Sequence, residues 1–70
     1  MRLSEEEQRF LNYLHTKGGS AYLFEIRHAL NIPHTSAWRM ARRLNEYGLI
    51  TIAKVRSGKR ELLKILLKRR

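Results

Sequence analysis

Seventy residues allow one small domain, and a core of that size is thin enough to need dense packing or a partner. The absence of cysteine excludes disulfides and thiolate metal sites, and no apolar run approaches the ~20 residues that a membrane span requires. The formal net charge is +9, with ten arginines against five lysines and no aspartate.

The N-terminal stretch MRLSEEEQRF puts three acids where a signal peptide has a basic and then an apolar region. A soluble, cytoplasmic protein is therefore expected. SEEEQRFLNYLHTKGG reads as a first helix, about 4–17. Ser4 and Glu7 have the spacing of a capping box, in which each side chain satisfies the other residue's backbone N–H. The three glutamates suit the positive end of the helix dipole. Phe10, Leu11 and Leu14 share a face, with Tyr13 and Lys17 at its edges, and Gly18-Gly19 ends the helix.

A second, shorter helix is predicted over about 20–30, capped by Ser20. Leu23, Ile26 and Leu30 form its apolar stripe, Tyr22 lies beside it, and Glu25 and His28 face away. Asn31-Ile32-Pro33 is a tight connection, because proline disfavours α geometry in the residue before it and is accepted in a first helical turn. The third helix then runs over about 33–47 and stops at Gly48. Ala37, Met40, Ala41 and Leu44 make its inward stripe, and the two alanines permit close approach of a neighbouring helix. Thr35, Arg39, Arg42 and Glu46 lie opposite, with Trp38 on one flank and Ser36 and Arg43 on the other.

From Leu49 the apolar period changes. ITIAKV and RELLKILL read as two strands of a hairpin over about 50–67, turning at Ser57-Gly58. That turn sets Arg56 opposite Lys59, Lys54 opposite Glu61, Ile52 opposite Leu63 and Ile50 opposite Ile65. Alternation then gathers Ile50, Ile52, Leu63, Ile65 and Leu67 on one apolar face. A C-terminal amphipathic helix is the competing reading of ELLKILLKRR. Ala53, Val55, Leu62 and Leu66 fall on the second face of the hairpin and need cover, from the first helix as a lid or from a second copy in a homodimer. The tail Lys68-Arg69-Arg70 is a basic extension suited to trailing along a polyanion.

Charge is segregated along the chain. Bases and acids balance from Met1 to Asn31, whereas Ile32 to Arg70 holds eleven bases against Glu46 and Glu61. A polyanion-binding face requires such segregation, and a general solubility role does not. Arginine's planar fork suits bidentate contacts with phosphate and guanine. Catalysis finds little support. There is no Cys or Asp, no acid pair outside the helix cap, and no glycine-rich phosphate loop. His34 stands beside Thr35 and Ser36, but adjacent residues diverge on a helix and no third orienting group is evident. His15, His28 and His34 are too dispersed for a zinc site, so no metal or cofactor is expected, and no pocket-like cluster argues for a small-molecule effector.

The order helix, helix, tight turn, helix, hairpin gives an α+β fold, and its central segment resembles a known family. AYLFEIRHALNIPHTSAWRMARRLNEYGLI is similar to the helix-turn-helix core of winged helix-turn-helix transcriptional regulators. The likeness lies in a short helix ending in Ala29-Leu30, the turn Asn31-Ile32-Pro33, the small-polar run His34-Thr35-Ser36-Ala37, the positions Arg42-Arg43-Leu44, and Glu46-Tyr47-Gly48-Leu49-Ile50. VRSGKRELLKI resembles the wing. The resemblance covers roughly residues 20 to 66 and is nearest to compact archaeal and MarR- or ArsR-like members. One departure is the lack of the long flanking helices that larger members use to dimerise.

The resemblance implies double-stranded DNA as partner, with the third helix in the major groove. His34, Thr35, Ser36, Trp38, Arg39, Arg42 and Arg43 are then the candidate readers, Arg39 foremost for a guanine. Arg56, Ser57, Gly58, Lys59 and Arg60 form a wing tip that reaches flanking backbone or minor groove. Each assignment has a plainer rival: Trp38 half-buried against the hairpin, Arg42 or Arg43 merely solvated, and a wing tip that only keeps the hairpin soluble. Two other functions fit the same charge layout. One is a non-specific architectural, chromatin or RNA/ribosome-associated protein, and the other a protein-interaction module for an acidic partner.

Overall fold

The computed structural model describes residues 2–68. Its elements follow the order α1 (Glu5–Thr16), β1 (Ser20–Tyr22), α2 (Leu23–Leu30), α3 (His34–Glu46), β2 (Ile50–Ser57) and β3 (Arg60–Leu67). The strands form one antiparallel sheet in the order β1-β3-β2, with the three helices packed on one of its faces. This is an α+β arrangement of three helices followed by a hairpin wing, as the element order predicts. Of the basic tail, Arg69 and Arg70 lie outside the described residues.

The cap of α1 acts as its spacing predicts. Ser4 Oγ accepts from the Glu7 N–H at 3.1 Å, and Glu7 Oε1 accepts from the Ser4 N–H at 2.9 Å. Two of the donors that every helix start leaves without a partner are thus satisfied. The chain leaves α1 through Gly18 and Gly19, whose φ values of 79° and 102° are open to glycine at little cost. Asn31, in the left-handed region at φ 54°, ends α2 and swings the chain into Pro33 and α3.

The second helix is shorter than its apolar periodicity suggests. Ser20 is not its cap. Ser20, Ala21 and Tyr22 form β1 instead, paired with Leu66, Ile65 and Lys64 of β3. Leu67 N–H donates to Gly19 O at 2.7 Å and extends that ladder by one bond. α2 then starts at Leu23, and Glu25 Oε1 turns back to accept the Tyr22 N–H at 2.9 Å. Glu25 therefore caps the helix start and does not simply face solvent.

The hairpin forms, in a register displaced from the predicted one. Ser57 pairs with Arg60, so the two central turn residues are Gly58 and Lys59, not Ser57 and Gly58. The reason is conformational. Gly58 takes φ 63° at the first central position, and Lys59 keeps a negative φ, the pattern of a type II′ turn. A Ser57-Gly58 turn of type I′ would force the left-handed region on Ser57 as well. The shift moves each partner by two residues, so every side chain keeps its face. Glu61 now lies across from Arg56 instead of Lys54, and Ile52 pairs with Ile65.

That pairing sets Ala21, Ile65 and Ile52 in one row across all three strands on the helix-facing side. Ile65 and Ile50 are fully buried, together with Phe10 and Leu14 of α1, Ile26 of α2, and Ala37, Ala41 and Leu44 of α3. Leu66, one residue along, points to the opposite face and is only half-buried. Replacing Ile65 with Ala should cost about 2–5 kcal/mol in urea unfolding, as for a deep core deletion. Leu66→Ala should cost clearly less. Equal losses would show that the register has been misplaced by one.

Candidate nucleic-acid interface

α3 presents two unlike sides. Ala37, Ala41 and Leu44, at helical spacing, are fully buried, and Met40 is half-buried at the edge of this stripe. Side chains on the far side have nowhere to go but outward. Thr35, Trp38, Arg39, Arg42, Arg43 and Glu46 together line a shallow concavity of about 370 Å³. His34 is exposed in the first turn, and Ser36 is half-buried on the flank nearer α1. Five of the seven predicted reader positions on this helix thus share one surface.

Trp38 takes the packing role that the sequence allowed without leaving the surface. It is half-buried and packs against the core, and its outer part edges the concavity. Arg39 and Arg42 are exposed, and among the described residues neither forms an ion pair with a carboxylate. Their charges are therefore not neutralised within the fold.

Arg43 is held differently. Its Nη1 stands 3.6 Å from Oε2 of Glu7, a carboxylate only 3% exposed, while the arginine itself remains 56% exposed. Ser4, Glu6 and Glu7 from the start of α1 meet Ser36, Arg39, Met40 and Arg43 across a second concavity of about 310 Å³. The N-terminal cap of α1 is thus a wall along one flank of α3. One oxygen of Glu7 completes the capping box and the other faces Arg43. Reading α1 by apolar residues alone misses this pair. The signal was present in spacing: Glu7 falls three and seven residues before Phe10 and Leu14, on the buried stripe.

The wing tip is built from Arg56, Ser57, Gly58, Lys59 and Arg60, all exposed. Among the described residues their side chains make no hydrogen bond and no ion pair. Strand alternation separates them. Arg56 lies on the helix-facing side opposite Glu61, whereas Ser57 and Arg60 form a pair on the outer side. None of the five lines the concavity of α3, so the predicted site residues form two groups, one on the helix and one on the hairpin. Among the described residues no three His, Asp or Glu side chains are grouped as a metal would need. No helix there is long and apolar enough to cross a membrane.

No protein-family model matches this chain, and no curated protein matches it by sequence. Among solved structures it is similar to Stf76 from the Sulfolobus islandicus plasmid-virus pSSVx, with a TM-score of 0.82 and 24% identity. The likeness takes in 97% of this chain and 86% of that one. The fold is a winged helix. The superposition spans the short β1 and the hairpin as well as the helices, so the whole winged helix is shared and not only its helix-turn-helix core. At this identity the likeness speaks for the architecture alone.

The Glu7 contact makes a measurable claim about how α3 is set. Glu7→Gln keeps a side-chain acceptor for the Ser4 N–H and should be mild, whereas Glu7→Ala removes the cap and should cost roughly 1–2 kcal/mol in chemical unfolding. In Arg43→Ala the buried carboxylate loses its cation, and Gln at position 7 should then be less harmful than in the parent. A double-mutant cycle without coupling between the two positions would remove the pair from the account.

Proposed function

We propose that this chain is a sequence-specific, double-stranded DNA-binding transcriptional regulator. The observation that carries the reading is the outer side of α3, where Arg39 and Arg42 stand exposed without internal carboxylate partners beside Thr35 and Trp38. It belongs to the half of the chain that contains all the excess positive charge. A helix with one side sealed by alanines and the other studded with arginine forks suits insertion in a major groove.

In this reading Arg39 makes the bidentate contact with a guanine edge, and Arg42 supports it from the next turn. His34, Thr35 and Ser36, at the positive end of the helix, hydrogen-bond phosphates or touch a thymine methyl. Trp38 gives an apolar rim against sugar or base. Arg43, tied to Glu7, is a phosphate contact of fixed orientation rather than a reader. Arg56, Lys59 and Arg60 follow the flanking backbone, with Ser57 and Gly58 allowing the close approach.

Selection of bound duplexes from a random pool tests existence, sequence and half-site symmetry together. A defined site should emerge, with log K falling by about 0.9 per phosphate contact for each unit of log salt. Arg39→Ala should lower affinity for that site by about 1–3 kcal/mol and relax the preference at one base pair. Lys59→Ala should weaken selected and random duplexes alike and reduce the salt slope by about 1. Equal affinity for selected and random duplexes would overturn sequence-specific regulation in favour of an architectural role.

A further inference from the structure

The outer face of the sheet, where it meets the exposed flank of α2, has an aromatic character that the duplex reading does not use. Tyr22 and Phe24 stack with ring centroids 5.7 Å apart and planes 15° from parallel. Lys64 Nζ lies over the Tyr22 ring, 5.9 Å from its centroid. Phe24 is a large apolar side chain with 52% of its surface exposed. With Arg27, Ser57, Arg60 and Leu62 it lines a concavity of about 350 Å³. The register explains the gathering. Tyr22 pairs with Lys64, and Leu62 and Arg60 follow on the same face of β3, opposite Val55 and Ser57. Phe24 and Arg27, on α2, close the open side.

We propose that this face is a second nucleic-acid surface and that its ligand is single-stranded DNA. Three observations select that occupant. Arg27 and Arg60 line the concavity with no carboxylate among its lining residues, and Lys64 adds a third cation on the same face of β3. Glu25, which shares a neighbouring concavity with Phe24 and Arg27, already accepts the Tyr22 N–H and stands 3.9 Å from Lys17. A polyanion complements such a surface, whereas a second copy docked by the same face would set these cations against themselves. The exposed Phe24 ring offers a π-face, and only unpaired bases have π-faces to stack on it, since a duplex presents base edges in its grooves. Arg60 and Ser57 belong to the wing, so a strand separated from a duplex beside the wing meets this face directly. The inference goes beyond duplex recognition by α3, and its choice of DNA over RNA rests on the reading that the wing lies beside a duplex.

Binding of a labelled short oligothymidylate, followed by fluorescence anisotropy, tests the proposal when compared with a duplex. Phe24 is half exposed, so Phe24→Ser is expected to fold, which the unfolding midpoint checks. It should weaken oligothymidylate binding about ten-fold, the scale of one lost base stack, and leave duplex affinity unchanged. Arg27→Gln should weaken the single strand in the same direction and steepen none of the duplex salt dependence. Arg39→Ala should do the reverse, lowering duplex affinity and sparing the oligothymidylate. Loss of duplex recognition with this pattern of single-strand binding intact would sink only the regulator reading. Oligothymidylate affinity unaltered by both Phe24→Ser and Arg27→Gln overturns the proposal. So does a common fall of both ligands in Arg39→Ala, which would mean a single electrostatic surface. Oligouridylate bound ten-fold tighter than oligothymidylate would assign the face to RNA, and a dimer in sedimentation that Phe24→Ser dissolves would assign it to a second copy; either result overturns it as well.

Discussion

Burial of the helix-facing side of a three-stranded sheet, centred on Ile65, is the constraint on which the rest of this molecule depends. Ile65 sits on the middle strand with Ala21 on one side and Ile52 on the other. Phe10, Leu14, Ile26 and Leu44, one or more from each helix, belong to the same buried cluster. In a chain this short there is no second core to compensate. The three-residue β1 is small in extent but makes β3 the middle strand and ties the α1–α2 connection to it. Helices that come early in the chain are thereby fastened to strands that come late.

The layout of charge follows from that packing. Ala37 and Ala41 let α3 lie close to its neighbours, so that on its inward stripe only Leu44 contributes a large fully buried side chain. Arg39 and Arg42 are displaced to the side where they remain hydrated, with Trp38 bridging core and surface. The sheet has a comparable division. Its inner face is sealed by isoleucine and leucine, and its outer face combines half-buried apolar groups with Lys64 and Arg60. A fold of two layers leaves both exterior surfaces, helix and sheet, available for contact, and in this chain both are cationic.

How far the sequence made this legible depends on which interactions are local. The buried stripes of all three helices follow from residues three and four apart, and so does the Ser4–Glu7 cap. The faces of the hairpin strands follow from alternation. Its register does not, because a displacement of two leaves every face unchanged and only the turn backbone decides. Gly58 settled that choice by taking the one position where a positive φ is required. β1 was hidden for the opposite reason. Ser20-Ala21-Tyr22 is too short to carry a period and borders a helix, and its partners lie more than forty residues away. On the candidate site, helical spacing correctly separated inward from outward residues of α3. It could not reveal the flank contributed by α1, since Glu7 and Arg43 are distant in sequence.

Glu7 shows how one residue can connect these levels. A buried carboxylate normally costs more to desolvate than a single partner returns, so its position needs more than one reason. Here it has three: the Ser4 N–H on one oxygen, Arg43 on the other, and a location at the start of a helix whose dipole favours negative charge. Because the arginine end of this pair is half exposed, the attraction on that side is screened, and the cap supplies the firmer part of the support. The consequence reaches α3. With Arg43 drawn toward α1, the arginines on the outer side cease to be equivalent. Two project outward without a carboxylate, and one is aimed along the flank. A basic face is thereby given a direction, and direction is what distinguishes a surface able to hold one register from a merely positive one.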